Sequence, residues 1–369
     1  MYFDHRFHLV HLNYLKYHIS PDSFIKKLIE DLIIVCIMEL KCKCGSTCIR
    51  TAEEILIQTK EAFNPCPKCE TIPLKKFSPL SEQINLNVID SQFERCSCGK
   101  RHLDITVAHV LKLMVDEDLQ NELSTLRNTC VPLITPAYPL QAIPYLGDKS
   151  LIVLSPKMNQ QCAERILEEI PEVKAVIKGE TNKTVGIKDS SHEPHVYETL
   201  AGCDMRCDII NTPQGPICLH KDQSEIHIEF PAHRSPKITS TSLFMKKHCI
   251  DSDFTVLDAT SGPGTLGIFS LMSGASRVVF NDLWKPATNM TALNLEVNGF
   301  KVDFFDETLE KCMIAHGEQF EVYNLDIRDL GSVLDEKFDL CIIDPFPGVN
   351  SKEFVESASK LARNILVIE

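Results

Sequence analysis

The last third of the chain alternates apolar runs of strand length with runs of helical periodicity, and this pattern limits the fold more than any other feature. The pattern begins at Thr255, and strands that alternate with helices predict a parallel sheet. The carboxyl ends of parallel strands meet at one edge of a sheet, where ligands bind. Acidic residues stand at or near the ends of four predicted strands: Asp258, Asp282, Asp326 and Asp344. We therefore predict a ligand-binding α/β domain over residues 251–369.

A glycine-rich turn follows the first of these strands. Gly262 and Gly264 stand between the strand and a helix predicted over Leu266–Met272. Glycines in such a turn let the backbone approach a ligand, and Gly267 allows the helix to pack closely on the strand. An acid after the second strand, here Asp282, is placed to hold both hydroxyls of a ribose. These residues predict a site for a nucleotide-type ligand.

In this order, the strand-end residues resemble the motifs of class I S-adenosylmethionine-dependent methyltransferases, over roughly residues 254–369. The resemblance implies a Rossmann-like parallel sheet and S-adenosyl-L-methionine as the cofactor. It assigns cofactor binding to Asp258, Gly262, Gly264, Gly267, Asp282 and Asp326. A nicotinamide-binding Rossmann domain is the main alternative, but such domains usually space their glycines more closely.

The predicted sheet stops after its fifth strand, Ile365–Ile368. Class I methyltransferases normally add an antiparallel hairpin of two further strands, so the resemblance implies a truncated sheet with an unpaired edge. Unpaired edges invite association with another strand. We therefore expect a second copy of the chain, a partner subunit or the N-terminal half to cover this edge.

The fourth predicted strand leads into Asp344-Pro345-Phe346-Pro347. This stretch resembles the Asp/Asn-Pro-Pro-Tyr/Phe motif of enzymes that methylate amine or amide-type nitrogens. The resemblance assigns catalysis to Asp344, Pro345 and Phe346. The Asp344 side chain and a backbone carbonyl would accept hydrogen bonds from the nitrogen, and the Phe346 ring would stack on a planar substrate. Proline would keep the turn rigid, since such a transfer depends mostly on positioning.

Two groups of tRNA methyltransferases share further sequence with the chain. Phe280-Asn281-Asp282 together with Phe354–Ala358 resembles the tRNA guanine-N2 dimethyltransferases. Tyr197–Gly202 and Ile226–Phe230 are similar to the segments before the catalytic domain of archaeal tRNA guanine-N1 methyltransferases. The guanine-N1 motif usually carries a basic residue, and none stands near Asp344 in this sequence. The resemblance implies N-methylation of a base in RNA, with tRNA guanine as the first candidate.

Charge leaves two other functions open. The chain has a net charge of −13, and the residues from Asp251 onwards hold 20 acidic and 9 basic residues. Such a charge does not help a protein to bind phosphates, although residues 231–250 carry four Lys and Arg and no acid. One alternative is a methyltransferase that acts on a protein side chain or a small biosynthetic intermediate. The other is a non-catalytic, methyltransferase-like binding subunit.

Six of the 16 cysteines fall into three close pairs of the kind found in zinc ribbons: Cys42 and Cys44, Cys66 and Cys69, and Cys96 and Cys98. Two thiolates so close in sequence can bind one ion from a tight turn, and two pairs complete a tetrahedral structural zinc site. The first two pairs make the simplest set. Cys96 and Cys98 could instead join Cys48 and His102 in a second site, or replace one of the other pairs.

Three further segments complete the predicted organisation. Residues 38–102 form a cysteine-rich, zinc-ribbon-like module, and residues 103–250 form a middle α+β domain. Residues 1–37 are an uncertain extension, either a helix over Phe24–Met38 or sequence upstream of a start at Met38. No apolar run approaches the roughly 20 residues that span a bilayer, and no signal peptide is recognisable. We therefore expect a soluble cytoplasmic protein without a membrane partner.

Overall fold

The computed structural model describes residues 42–59, 61–187, 194–248, 250, 253–304, 312–346 and 348–368. The predicted extension over residues 1–37, its helix and Pro347 lie outside these residues. The chain divides into two compact units, residues 1–47 and residues 48–369. In the first unit, the amide of Gly45 donates a hydrogen bond to the carbonyl of Cys42 (2.8 Å), which closes a tight turn. The elements described below all belong to the second unit.

The helices of the described residues are α1 (Ala52–Thr59), α2 (Ile89–Gln92), α3 (Leu103–Asp116), α4 (Leu126–Thr129), α5 (Gln160–Glu169), α6 (Pro236–Lys247), α7 (Thr265–Met272), α8 (Lys285–Val297) and α9 (Lys352–Leu361). The strands are β1 (Arg101–His102), β2 (Val131–Ile134), β3 (Tyr145–Leu146), β4 (Leu151–Leu154), β5 (Val173–Lys178), β6 (Glu198–Gly202), β7 (Met205–Ile210), β8 (Ile217–Asp222), β9 (Phe254–Asp258), β10 (Ala275–Asn281), β11 (Asp303–Phe304), β12 (Met313–Gly317), β13 (Phe320–Tyr323), β14 (Phe338–Ile343) and β15 (Ala362–Val367). None of these helices is long and apolar enough to cross a membrane.

The C-terminal sheet confirms the predicted α/β fold. Its seven strands lie in the order β11-β12-β13-β10-β9-β14-β15, and the last five of them are parallel. The chain proceeds from β9 outwards to β10 and β13, and then returns to the other side of β9 to form β14. The strand order therefore reverses beside β9. In open α/β sheets, ligands bind in the crevice at such a reversal, beyond the carboxyl ends of the strands.

Side chains cover both faces of this sheet. Alternate residues of β14 enter two hydrophobic clusters, Leu340 and Ile342 in one and Cys341 and Ile343 in the other. Successive side chains of a strand point to opposite faces, so the clusters belong to the two sides. Helices α7 and α8 pack into the first cluster, and α9 packs into the second through Leu361. Burial on both faces explains the nearly unbroken apolar sequence of these strands.

The two edges of the sheet differ. At one edge, β11 and β12 form an antiparallel pair beside β13, which the sequence analysis did not predict. Both are short, β11 is exposed and β12 is only partly buried, so they lack the alternating apolar pattern by which a strand is recognised. At the other edge, β15 pairs with β14 and with no further strand among the described residues.

The middle of the chain has the predicted α+β character. A four-stranded sheet of order β2-β4-β5-β6 contains one parallel pair, β4 and β5, which α5 connects. An antiparallel hairpin, β7 and β8, follows it. Helix α3 ends at Asp116, and two residues later the backbone of Asp118 adopts the left-handed region at φ 56°. One hydrophobic cluster joins Phe63 of the cysteine-rich segment to Val153 of the middle sheet.

Candidate active site and cysteine cluster

The first strand-end acid, Asp258, is buried at the carboxyl end of β9. Its Oδ2 accepts a hydrogen bond from the amide of Gly267 (2.7 Å). Its Oδ1 is also buried and has no hydrogen-bond partner among the described residues. Burial raises the pKa of Asp258 to about 8, and the nearby carboxylates of Asp344 and Asp282 add to the rise. An unpaired carboxylate oxygen inside a protein is costly, so this atom fits a ligand that supplies a donor or a cation.

Each glycine in and after the glycine-rich turn is favoured by its backbone angle or by close packing. Gly262 and Gly264 both have positive φ, at 54° and 94°, a region that side chains with a Cβ seldom adopt. Gly264 also begins α7 as its N-cap residue. A Cβ on Gly267 would lie 2.1 Å from the Phe280 ring, so only glycine lets α7 pack this closely on β10.

The second acid, Asp282, ties the glycine-rich turn to the end of β10. Its Oδ2 accepts a hydrogen bond from the amide of Gly262 (2.9 Å), and its Oδ1 accepts one from the amide of Trp284 (2.8 Å). Burial raises the pKa of Asp282. A carboxylate has about four acceptor positions, so these two bonds leave acceptor capacity for ribose hydroxyls.

Asn281 was not predicted as a functional residue, yet it joins three strand ends. Its Nδ2 donates hydrogen bonds to the carbonyls of Ala259 (3.1 Å) and Leu325 (3.0 Å). Its Oδ1 accepts one from the amide of Leu325 (3.1 Å). These bonds link the segments after β9, β10 and β13. The position of Asn281 directly before Asp282 is the only signal that the sequence offers for this role.

The third acid, Asp326, follows β13 and carries a partner that the sequence analysis missed. Its Oδ1 accepts hydrogen bonds from the amide and from Nε of Arg328 (both 2.9 Å), and its Oδ2 lies 2.6 Å from Arg328 Nη2. These bonds lower the pKa of Asp326. Contact between Asp326 and an adenine stays a prediction, and such a contact would share the carboxylate with Arg328.

The fourth acid, Asp344, follows β14 and is mostly buried. Its amide donates a hydrogen bond to Thr260 Oγ1 (2.7 Å), which fixes the strand end beside the glycine-rich turn. Its Oδ2 lies 2.6 Å from Nζ of Lys237, at the start of α6. A residue 107 positions away thus brings a cation to Asp344, where the nearby sequence has none. A charged partner so far away in the sequence cannot be recognised from a sequence motif.

The aromatic residue of the predicted catalytic motif, Phe346, is half-buried against the middle of the chain. Its ring meets His227 edge to face, with 6.0 Å between the ring centroids. Its Cζ would lie 3.1 Å from a Cβ on Gly186. Stacking of Phe346 on a substrate stays a prediction, as does the role of the half-buried Pro345. The more exposed aromatic ring of this region is Phe230, at 63% exposure, with the guanidinium of Arg206 5.7 Å from its centroid.

Four cysteines form a compact cluster in the second unit. The sulfur atoms of Cys66, Cys69, Cys96 and Cys98 all lie within 4.8 Å of one another. The distances are 3.5 Å between Cys66 and Cys96, 3.6 Å between Cys69 and Cys98, and 3.7 Å between Cys66 and Cys69. Four thiolates about 2.3 Å from a tetrahedral zinc ion would be separated by about 3.8 Å. This cluster therefore fits a structural zinc ion.

The grouping differs from the simplest predicted set. Cys96 and Cys98 join Cys66 and Cys69, which is the arrangement in which the third pair replaces the first. A 30-residue separation between Cys66 and Cys96 leaves enough chain to bring the two turns together. His102 does not join Cys96, since its Nδ1 accepts a hydrogen bond from the amide of Asp104 and caps α3. A metal role for Cys42 and Cys44, in the first unit, stays a prediction.

Comparison with known proteins adds relatives for part of the chain. No family model matches it. The ribosomal RNA large subunit methyltransferase I of Vibrio cholerae is 28% identical over 110 residues, 30% of this chain and 25% of that protein. The protein of the same name from Vibrio campbellii is 29% identical over 113 residues, 31% of this chain and 26% of that protein. The chain thus spans about a quarter of the length of these curated relatives.

Solved structures with some likeness include two archaeal proteins. The tRNA m1G37 methyltransferase of M. jannaschii is 19% identical, with a TM-score of 0.33 over 63% of this chain and 59% of that one. P. horikoshii TYW2 in complex with MeSAdo is 16% identical, with a TM-score of 0.37 over 69% of this chain and 76% of that one. The curated relatives that match part of this chain are named as RNA methyltransferases, and the strand order brings the predicted strand-end residues to one end of a parallel sheet.

Proposed function

We propose that the protein transfers a methyl group from S-adenosylmethionine to a nitrogen atom of a base in RNA. The observation that carries this proposal is the meeting of Asp258, Asp282 and Asp344 at one end of the sheet, where each influences the ionisation of another. A cofactor site and an acceptor site then lie side by side, as direct transfer requires. The curated relatives, which are named ribosomal RNA methyltransferases, support RNA as the substrate class.

The residues around the glycine-rich turn fit the cofactor. The unpaired Oδ1 of Asp258 suits the α-ammonium group of S-adenosylmethionine, and Asp282 retains acceptor capacity for the ribose. Gly262 leaves open space where a Cβ would stand, which suits a ligand that approaches the backbone. Asp326 remains the candidate for the adenine. When bound, S-adenosylmethionine supplies an activated methyl group on its sulfonium.

The residues that follow β14 bind the base that accepts the methyl group. Asp344 accepts a hydrogen bond from the acceptor nitrogen, and the backbone fixed by its bond to Thr260 holds the carboxylate in place. Exposed basic residues in and beside α6 support contact with the RNA backbone: they are Arg234, Lys246 and Lys247. Guanine of tRNA is the first acceptor to test.

The cysteine cluster contributes structure in this proposal. One zinc ion bound by Cys66, Cys69, Cys96 and Cys98 leaves no ligand position for a substrate, so the ion stabilises the fold. Clustered thiols that can bind a metal ion are typical of a reducing compartment, which supports a location in the cytoplasm. A homo-oligomer or a partner subunit remains a candidate cover for the edge at β15.

Calorimetry is the first test of this function. Metal-replete protein is titrated with S-adenosylmethionine and S-adenosylhomocysteine, with Asp282→Ala as the control variant. Transfer is then measured with labelled cofactor and bulk tRNA or rRNA, and Asp344→Asn tests the acceptor site. Binding that is lost in Asp282→Ala, together with labelled RNA, supports the proposal. Cofactor binding with label only on protein or small molecules favours the second function, and no binding at all favours a non-catalytic subunit.

A further inference from the structure

Six side chains of alternating charge run from the middle of the chain to the acceptor site. They are Arg206, Asp208, Lys221, Glu229, Lys237 and Asp344, and each forms an ion pair with the next. The first three are almost fully buried, in β7 and β8. The last three are partly exposed, at 21–36%. We refer to these six residues as the charge ladder.

The charge ladder is tightest where it reaches the acceptor site. Lys237 Nζ lies 2.6 Å from Glu229 Oε1 and 2.6 Å from Asp344 Oδ2, so one ammonium group bridges two carboxylates. Glu229 is in turn held by Lys221, whose Nζ lies 3.6 Å from Glu229 Oε2 and 2.9 Å from Asp208 Oδ2. Both contacts of Lys221 are ion pairs without a hydrogen bond, since 3.6 Å is too long for one and neither oxygen of Asp208 has a hydrogen-bond partner among the described residues. The position of the Lys237 side chain is thus fixed from the protein interior.

We propose that Lys237 is the positioning residue of the acceptor site: held by Glu229, it orients Asp344 and keeps it ionised so that Asp344 takes the proton of the acceptor nitrogen. This inference rests on the proposed function. The acceptor nitrogen uses its lone pair to bond to the methyl carbon, and the electron pair of the broken carbon–sulfur bond stays on sulfur. The proton displaced from nitrogen passes to the Asp344 carboxylate, so charge and atoms balance.

The pKa values of the two carboxylates beside Lys237 are shifted in opposite directions. Burial acts to raise the pKa of Glu229, but its attraction to Lys221 and Lys237 is stronger, and the pKa falls to about 2. Burial raises the pKa of Asp344, while attraction to Lys237 opposes the rise. Carboxylates whose pKa values are driven apart usually divide the acid and base roles. Asp344 is therefore the proton acceptor, and Glu229 stays a counter-ion.

Other charged groups also face Asp344. Asp258 and Asp282, at the ends of β9 and β10, lie close enough for electrostatic repulsion. Glu229 repels the Asp344 carboxylate as well, whereas Lys237 is the cation that attracts it. His227 touches the neighbouring Phe346 rather than Asp344. Asp282 and Glu229 thus repel the Asp344 carboxylate while Lys237 attracts it, so the ionisation of Asp344 is sensitive to the loss of Lys237.

Two variants in which the pKa of Asp344 should shift in opposite directions test the inference in the whole chain. The pKa of Asp344 is measured by ¹³C NMR of its carboxyl group, assigned with Asp344→Asn, and kcat/KM is measured against pH. In Lys237→Met, the pKa and the acidic limb of the profile should both rise by about 1–3 units. In Glu229→Gln they should fall, because a repelling charge is removed while Lys237 stays. Lys237→Arg should remain close to the wild type.

The controls separate this inference from the function on which it rests. Unchanged affinity for S-adenosylmethionine and an unchanged melting curve would exclude misfolding in each variant. A wild-type protein that methylates RNA, with the same pKa and pH profile in Lys237→Met, would overturn the role of Lys237. A wild-type protein that methylates nothing would overturn the proposed function, and the carboxyl titration of the free protein would still decide whether Lys237 governs Asp344.

Discussion

Gly267 and Phe280 lie so close that a Cβ on the glycine would be 2.1 Å from Cε1 of the ring. The ring belongs to β10, and Gly267 stands in the first turn of α7, where its amide also donates a hydrogen bond to Asp258. The contact therefore sets the distance between the cofactor-side helix and the sheet. A buried aromatic ring cannot move aside cheaply in a closely packed core.

This contact predicts a loss of both stability and cofactor binding in Gly267→Ala. Overpacking of this kind costs about 1–3 kcal/mol, and the shifted helix start would displace the Gly267 amide from Asp258. Thermal unfolding and calorimetry with S-adenosylmethionine would measure the two effects. Gly331→Ala is the matched control, because a Cβ there meets no atom within 4 Å. Equal melting temperatures for the two variants would contradict the prediction.

The raised pKa of Asp258 predicts that cofactor binding depends on pH. A carboxyl group with a pKa of about 8 is mostly protonated at pH 7 in the free protein, and a cationic ammonium prefers the carboxylate. Affinity for S-adenosylmethionine should therefore increase from pH 6 to pH 8 and level off above it, with a proton released on binding. Calorimetry in buffers of different ionisation enthalpy counts that proton. Asp258→Asn should bind weakly and without this pH dependence, so a proton release retained in that variant would disprove the assignment.

The cysteine cluster predicts one zinc ion that stabilises the fold. Cys69→Ser and Cys98→Ser should each lower the bound zinc by one ion per chain, since three thiolates no longer close the tetrahedron. Both should also lower the melting temperature, because the cysteine-rich segment shares its hydrophobic cluster with the middle sheet. Elemental analysis and calorimetry measure these effects. Cys312→Ser lies outside the cluster and should retain the full zinc content, so an equal loss there would point to general misfolding.

The sequence correctly predicted those parts of the fold that depend on residues close together in the chain. Strands β9 and β14 are buried on both faces and read as apolar runs, and the glycines that follow β9 reflect backbone angles and packing at their own positions. The sequence did not decide which two cysteine pairs bind the same ion. The entropy lost on closing a loop of about 30 residues differs little between one combination and another. Short, half-exposed strands such as β11 carry no periodicity and were missed.

The sequence indicated which strand-end acids lie at one end of the sheet, but not which residue pairs with Asp344. Asp258 and Asp282 follow their strands directly, so topology alone brings them together. Lys237 reaches Asp344 from a helix that precedes the whole sheet, and its partner Glu229 lies between β8 and α6, in neither a strand nor a helix. No sequence spacing encodes such a meeting. The acceptor half of the site therefore depends on how the middle of the chain packs against the sheet.

Phe230 gives the last prediction, for the recognition of the substrate. The residue follows Glu229 of the charge ladder directly in sequence, and its ring is 63% exposed although it is large and apolar. Arg206 supports it with a guanidinium 5.7 Å from the ring centroid, while the remaining surface is available to a planar base. Base stacking on an aromatic side chain is worth about 1–3 kcal/mol. Phe230→Leu should therefore weaken RNA binding by about 5- to 150-fold.

If a base stacks on Phe230, an aromatic ring is needed at this position and apolar bulk is not sufficient. Phe230→Trp should therefore bind RNA about as well as the wild type. Fluorescence anisotropy with a labelled RNA substrate, measured in the presence of S-adenosylhomocysteine, separates the two variants. Both should retain the affinity for S-adenosylmethionine, because the Phe230 ring lies against Arg206 of β7 and not in the glycine-rich turn. If leucine and tryptophan have the same effect on RNA binding, Phe230 contributes apolar surface and does not stack on a base.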